Sequence, residues 1–274
     1  DWTRLPVPPL RADLAIFLET HLPRYRWVAP RRWLVPNPEC WNSIHDRDLV
    51  MYERVLAKTR SAAEAFAARA PGRVSLVGWL TRQLPAKLAA RRDAFLHVAG
   101  SSPFKGTASV LHAWTHHRVS LPLTVVAWGQ EERAVKIAAQ AHPAIRHIGR
   151  VSDDEIEELR RTHWFALQPS QAEGWGHVLG ESVMAGCVLI TTDGAPMNEL
   201  PDGTILVPAA RTSPMKAGVS HDVAPEVLAD TVKRAADLSF EQRECMVESA
   251  RAARARAHRA AEAALQELVD GPSG

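Results

Sequence analysis

The amino-acid sequence predicts an α/β protein built on parallel sheets, and three observations carry that expectation. Short apolar runs recur along the 274 residues, helical patterns separate most of them, and polar, Pro- or Gly-marked turns follow them. Runs of this length between helices read as buried parallel strands, whose carboxyl ends share one edge of a sheet. The runs fall into two sets, which divides the chain into 1–88 and 89–274, the first unit being unusually small.

In the first unit the runs are 14–18, 33–35, 55–57 and 74–77, after a proline-rich lead-in with Pro6, Pro8 and Pro9. Helical patterns over 48–54 and 61–69 connect some of them. Each run ends in polar or special residues: Glu19, Thr20 and His21; Asn37, Pro38 and Glu39; Lys58, Thr59 and Arg60; Gly78 and Trp79. A parallel sheet gathers these sets at the edge where ligands bind, so Glu19, His21, Asn37, Glu39 and Lys58 are candidates for one side of a cleft. Ordinary turn chemistry is the plainer reading of each. No glycine precedes Gly72, so this unit lacks a glycine-rich phosphate turn, and phosphate binding falls to the other unit.

In the second unit strands are expected at 94–99, 123–127, 145–148, 164–167, 187–191 and 204–207, with helices between most of them, which makes a doubly wound sheet. Ser152 to Glu155 and Ser239 to Gln242 have the spacing of capping boxes, the second opening a long alanine-rich helix that runs to about residue 269. Arg251, Arg254, Arg256 and Arg259 make part of that helix basic, which reads as a solvated face or as a weak contact with anionic lipid. A loop is expected over 211–224, with a mobile tip at Gly218, Val219 and Ser220.

Two turns of this unit concentrate the chemistry. Gly100, Ser101 and Ser102 lead to Lys105 at a helix entry, where a cation and hydroxyls suit a phosphate. The second turn runs from Ser170 through Glu173, Gly174, Trp175, Gly176 and His177 to Glu181. Its glycines let the backbone approach a bound group, and the amides at the helix start favour negative charge. Glu173 and Glu181, eight positions apart, are too distant to share a proton but suit the hydroxyls of one extended polyol. Acidic residues that merely complement a helix dipole are the alternative. His177 would lie beside a phosphate and donate to it if protonated, or else pack against its helix.

Composition sets bounds. A hydrophobic fraction of 46% is ample for a packed core, and a net charge of +2 argues against a nucleic-acid binder. Three scattered cysteines, Cys40, Cys187 and Cys245, read as reduced thiols. No run approaches the about 18 apolar residues of a membrane span, and no signal peptide is visible, so a cytoplasmic protein is expected. The chain opens on Asp1 rather than Met, and a trimmed N-terminus is left open. His112 and His116 have the four-residue spacing of zinc ligands, but Ala113 stands where a glutamate is wanted and no third ligand is suggested, so they read as core or surface histidines.

Glu173 and Glu181 with seven residues between, preceded by Pro169 and Ser170 and followed by a small-residue turn and Glu199, resemble the signature of the family-4 retaining glycosyltransferases of GT-B fold; the likeness extends over about 93–208. The resemblance implies two Rossmann-like domains facing a cleft: a reduced acceptor-side domain, 1–88, and a nucleotide-sugar-binding domain, 89–274, whose last helix, about 256–269, packs back on the first. It implies Glu173 against the donor sugar, Glu181 on the donor ribose, and Lys105 on the diphosphate, and with His177 these are the catalytic candidates. The donor-binding set is Gly100, Ser101, Ser102, Lys105, Ser170, Glu173, Gly174, Trp175, Gly176, His177 and Glu181. One departure stands out, since the family's arginine near the first turn is replaced by Ser101 or Ser102. Asp46, Arg47 and Asp48 have the Asp-x-Asp form by which GT-A glycosyltransferases hold a metal, but a helical pattern follows them, and they read as a helix start.

The expected function is therefore metal-independent, retaining transfer of a sugar from a nucleotide-diphosphate sugar to an acceptor hydroxyl, with no cofactor. A non-catalytic nucleotide-sugar-binding subunit needing a partner, and a nucleotide-sugar epimerase of the same fold, are the alternatives. A glycan, lipid-linked or small-molecule acceptor fits. Arg24, Arg26, Arg31 and Arg32 hint at an acidic or lipid-phosphate one, and peripheral attachment at the inner membrane face and assembly with itself or a partner stay open.

Overall fold

The computed structural model describes residues 12–78, 80–83, 90–199 and 202–271. The proline-rich lead-in, Trp79 and the expected division near residue 88 lie outside them. β1 (Leu14–Glu19), β2 (Arg31–Pro36), β3 (Arg54–Ala57) and β4 (Val74–Leu76) form a parallel sheet in chain order. Trp33, Leu34 and Val35, like Val55, Leu56 and Ala57, are continuous apolar runs buried on both faces, which is what a central parallel strand requires. β1 is an edge strand and departs from the expectation of burial: Phe17 is covered, whereas Ile16 and Leu18 are exposed.

Between β2 and β3 a 3-10 helix spans Ser43–Met51, earlier than the expected 48–54, because the Asn42 side chain accepts from the Ile44 amide and starts it there. Asp46 and Asp48 thus lie inside the helix. α1 (Arg60–Ala67) follows β3, with the Thr59 hydroxyl capping its start.

The second sheet has seven strands: β5 (Arg92–Gly100), β6 (Leu123–Ala127), β7 (Ile145–Ile148), β8 (His163–Gln168), β9 (Val188–Asp193), β10 (Ile205–Met215) and β11 (Gly218–Val223). Their order is β11-β10-β9-β8-β5-β6-β7. The chain therefore runs outward from β5 to β7, returns to place β8 on the other side of β5, and runs outward again. Only β11 is antiparallel. The loop expected over 211–224 is instead a hairpin, turning at Lys216 and Ala217, with Lys216 in the left-handed region. His221 and Val223 point inward and alternate with less buried neighbours, a period-two pattern that Pro208, Pro214 and Gly218 obscure in the sequence.

α2 (Thr107–His116), α3 (Glu132–Ala141) and α6 (Pro225–Ala236) cover one face through Val110, Trp114, Val135, Leu228 and Val232, packed on Phe95 and Phe165. α4 (Asp153–Thr162) and α5 (His177–Met184) cover the other, with Ile156, Leu179 and Val183 against Leu96 and Leu189. Both capping boxes form, at Ser152 with Glu155 and at Ser239 with Gln242.

α7 (Phe240–Asp270) joins the two sheets. Val247 and Ala250 belong to the core of the second, while Ala264, Leu265 and Leu268 pack on Trp33, Val35, Leu56 and Val77 of the first. The small first sheet thus receives one of its covering layers from the end of the chain. Full burial contributes about 1.5–3 kcal/mol for a Val or Leu, a value that Val35, Leu56 and Val77 approach and the half-buried Leu265 and Leu268 do not reach. The basic stretch of α7 is only partly solvated: Arg256 and Arg259 are exposed, but Arg254 is buried, donating to the Thr81 hydroxyl at 2.8 Å. Among the described residues no helix is long and apolar enough to cross a membrane. Cys40, Cys187 and Cys245 are all free thiols.

His97, on β5, is fully buried and joins three elements. Its Nδ1 lies 2.7 Å from the Leu167 carbonyl on β8, and its Nε2 lies 3.1 Å from the Thr107 hydroxyl at the start of α2. Burial pushes this imidazole down to about 4, so it is neutral, donating from Nδ1 and accepting at Nε2. The unfolded chain binds a proton here below the ordinary value of 6.5, while the folded chain does not until about 4. Stability from this group is therefore complete above pH 6.5 and falls by roughly 3 kcal/mol as the pH drops to 4. Urea unfolding followed over that range is expected to show a steeper acid loss in the wild type than in His97→Gln; equal slopes would assign the loss to other groups.

Candidate functional site

The strand order reverses between β5 and β8, and the loops that leave their carboxyl ends are those carrying Lys105 and Glu173. Lys105 Nζ lies 2.6 Å from Glu173 Oε1, to which the Ser170 hydroxyl also donates at 2.7 Å. With only 8% of the Glu173 side chain exposed, that carboxylate takes its hydrogen bonds from these partners in place of water. The backbones of the two loops meet as well. The Gln171 amide donates to the Phe104 carbonyl at 2.7 Å, and Gly106, at φ 71°, lies so close to the Pro169 carbonyl that any side chain would collide with it.

α2 and α5 both begin at glycines in the left-handed region, Gly106 and Gly176, and neither start has a side-chain cap. Two helix N-termini with open amides thus stand side by side, bridged by the Lys105–Glu173 pair, an arrangement suited to a diphosphate. Gly100 ends β5, the Ser102 hydroxyl accepts from the Phe104 amide, and the Ser101 carbonyl accepts from Gln130 at 3.2 Å.

His177 and Glu181 share a face of α5, one turn apart. Desolvation holds the His177 imidazole below its ordinary range against the pull of Glu181, so it is neutral at pH 7. Glu181 pairs with Arg160 of α4 at 2.7 Å, and with Arg82, Asp153, Ile156 and Glu157 these two line a cavity of about 220 Å³. Trp175 is turned the other way: the Arg254 guanidinium sits 4.2 Å from its ring, which ties the loop to α7.

The edge of the first sheet faces this site. Lys58 is buried, donates to Asn37 and lies 3.8 Å from Glu19. Burial pulls its ammonium below the usual lysine range, while Glu19 and Glu39 oppose the shift. Burial pushes Glu39 up, and the charge of Glu173 acts in the same direction. Gly174 packs directly on the Asn37 carboxamide, which would have to shift to admit a methyl group. Glu39, Glu64 and Glu173, with Thr59, Pro196 and His221, line a cavity of about 420 Å³ between the two sheets. Of the five residues expected on this side, Glu19, Asn37, Glu39 and Lys58 come together. His21 does not join them; its ring turns to Tyr52 and Asp48.

Arg160, Thr81 and Arg254 carry no local signal in the sequence, since each gains its role from a partner on another element. Glu199 was legible in the sequence as part of the signature, but its partners were not: it accepts from the amides of Arg60 at 2.7 Å and Ser61 at 2.9 Å, at the start of α1. A residue of the second unit thereby holds a helix N-terminus of the first.

Residues 82–202 match the family model described as glycosyl transferases group 1. No curated protein matches the chain in sequence. In fold it is similar to the GtfA/B complex (17% identity, 96% of this chain and 58% of that one, TM-score 0.64). It is also similar to a trehalose-6-phosphate synthase studied for glycosyl transfer with retention (14% identity, 96% and 75%, TM-score 0.70). A third similar structure is an α,α-trehalose-phosphate synthase (UDP-forming) from Burkholderia xenovorans in complex with glucose-6-phosphate (15% identity, 96% and 74%, TM-score 0.67). The chain spans 58% of the length of the GtfA/B chain it matches. At these identities the likeness is one of fold, and the fold is that of the GT-B glycosyltransferases.

Removing the Glu199 carboxylate leaves two helix-start amides without their partner. Glu199→Ala is expected to lower stability by about 1–2 kcal/mol in urea unfolding, with Glu199→Gln losing less; an unchanged midpoint in Glu199→Ala would show that the contact does not hold the sheets together.

Proposed function

We propose that the protein transfers a sugar from a nucleotide-diphosphate sugar to an acceptor hydroxyl, with retention at the anomeric carbon and without a metal at the diphosphate. The observation that carries this reading is the position of Glu173. It is bound to Lys105 beside two open helix starts, and it also borders the cavity shared with the first sheet. A diphosphate on the amides of α2 and α5 sets its sugar at that cavity.

Each residue then has a physical task. Lys105 and the helix amides stabilise the charge that grows on the departing diphosphate, commonly the largest catalytic term. Neutral His177 donates one N–H to the same group. Glu173 orients the sugar through its hydroxyls, and Glu181, fixed by Arg160, takes the ribose hydroxyls. Lys58, across the cleft, supplies the second cation that Ser101 and Ser102 do not. Front-face transfer, in which the diphosphate helps take the acceptor proton, needs no carboxylate pair, and retention is the course named for the trehalose-6-phosphate synthase of similar fold.

The acceptor enters the 420 Å³ cavity, whose Glu39, Glu64 and Glu173 suit hydroxyl donors and disfavour an anionic group. The arginines that hinted at a phosphorylated acceptor do not line it. Arg31 pairs with Glu53 at 3.0 Å, Arg32 donates to the Met51 and Ala29 carbonyls, and Arg24 and Arg26 lie against Tyr25 and Trp27.

Two measurements test this reading. With a nucleotide-diphosphate sugar that the protein turns over, Lys105→Ala is expected to cut kcat at least tenfold while nucleoside binding stays constant; equal losses in both would remove its phosphate role. In calorimetry Glu181→Ala is expected to weaken nucleoside diphosphate binding by about 1–3 kcal/mol, and unchanged affinity would rule out the ribose contact.

A further inference from the structure

The two acidic residues of the Asp-x-Asp stretch have different surroundings. Asp46 accepts from the Trp41 indole at 2.8 Å and meets Arg69 at 3.5 Å, so it is engaged in packing. Asp48 instead faces two histidines. Its Oδ2 lies 3.2 Å from His21 Nε2 and 3.7 Å from His45 Nδ1, and the three ligand atoms are all within 4.8 Å of one another. On a 3-10 helix, side chains three apart eclipse one another, which places His45 and Asp48 on one face. His21 reaches them from the segment that follows β1.

A hydrogen-bonded histidine and aspartate need no third group, yet here a second imidazole converges on the same carboxylate oxygen. A tetrahedral zinc ion with bonds of about 2.0–2.1 Å sets its ligand atoms about 3.3–3.4 Å apart, which falls between the two distances observed. The outer groups are also those of a zinc site. Nδ1 of His21 lies 2.8 Å from the Tyr52 hydroxyl, which fixes the ring with Nε2 directed inward. The Trp41 ring stands edge-on to His21 and to His45, 5.9 Å from each, and limits their rotation. His45 and Asp48 are partly exposed, which leaves a path for the ion and a fourth position for water.

We propose that His21, His45 and Asp48 bind a zinc ion that fastens the segment after β1 to the 3-10 helix between β2 and β3. The site shares no side chain with the donor loops or the cavity beside Glu173, and it stands apart from the transfer reaction. Its effect is structural: it ties two connections at the carboxyl edge of the first sheet, where the sheet has little helical cover of its own.

The test uses the full chain, free of any histidine tag, stripped with chelator and titrated with Zn²⁺ in calorimetry and with Co²⁺ in visible absorption. The expected result is one Zn²⁺ per chain and an intense tetrahedral Co²⁺ spectrum. His45→Ala and Asp48→Asn, both at partly exposed positions, are expected to weaken Zn²⁺ binding at least tenfold and abolish the Co²⁺ spectrum. Tyr52→Phe, which leaves all three ligands in place, is expected to weaken it about tenfold. His116→Ala, which removes a ring from the stacked His112–His116 pair on α2, is expected to bind as the wild type does. Less than one Zn²⁺ per chain, wild-type affinity in His45→Ala, or a loss that follows His116→Ala would each overturn the proposal.

Discussion

The contact between β5 and β8 is the constraint on which the rest depends. They are the first and fourth strands of their sheet in chain order, and their pairing makes the sheet reverse direction there. Loops leaving neighbouring strands at such a reversal turn to opposite faces, opening a crevice between them. His97 secures the place from below, bonded to β8 and to the start of α2 at once. Because it is buried and neutral, it does so without introducing a charge. Lys105 and Glu173 then complete the crevice from above, and the absence of a side chain at Gly106 lets the two loops touch.

The second constraint is economy in the first sheet. Four short strands expose two apolar faces, and the chain between them supplies one small α-helix and two 3-10 helices, Pro23–Tyr25 and Ser43–Met51, for one of these. The end of α7 covers the other, so the two sheets are held by a common helix as well as by the Glu199 contact with α1. The same helix reaches the loop after β8 through Arg254 and Trp175. Stability of the small sheet and the position of the loop that carries Glu173 are in this way linked by one element of 31 residues.

Between the sheets, charge is arranged with its partners already present. Lys58 is balanced by Glu19 and Glu39, Lys105 by Glu173, and Arg160 by Glu181. In the proposed transfer the two lysines assigned to the diphosphate are thus each already paired with carboxylates, and the carboxylate assigned to the ribose is held by an arginine. A ligand carrying both groups can exchange one set of contacts for another without leaving a buried charge unpaired, which would otherwise cost several kcal/mol.

The sequence by itself determined ten of the eleven strands, all but β11, together with the capping boxes and the turns that carry Lys105 and Glu173. These depend on periodicity and on side-chain bonds to nearby amides, which are local. Glu173 and Glu181 were legible from their spacing, although α5 begins only at His177, so that a short loop and one helical turn separate them rather than the two turns expected. Strand order was not legible, because it is decided by which apolar faces meet once the chain is long enough to return. For the same reason the tertiary structure alone turned the 211–224 loop into a hairpin, buried Arg254 and placed Trp175 beneath it. It also set Arg160 on Glu181, and it moved His21 from the cleft to His45 and Asp48. Each of these depends on a partner on another element, and contacts over such separations leave no pattern in neighbouring residues.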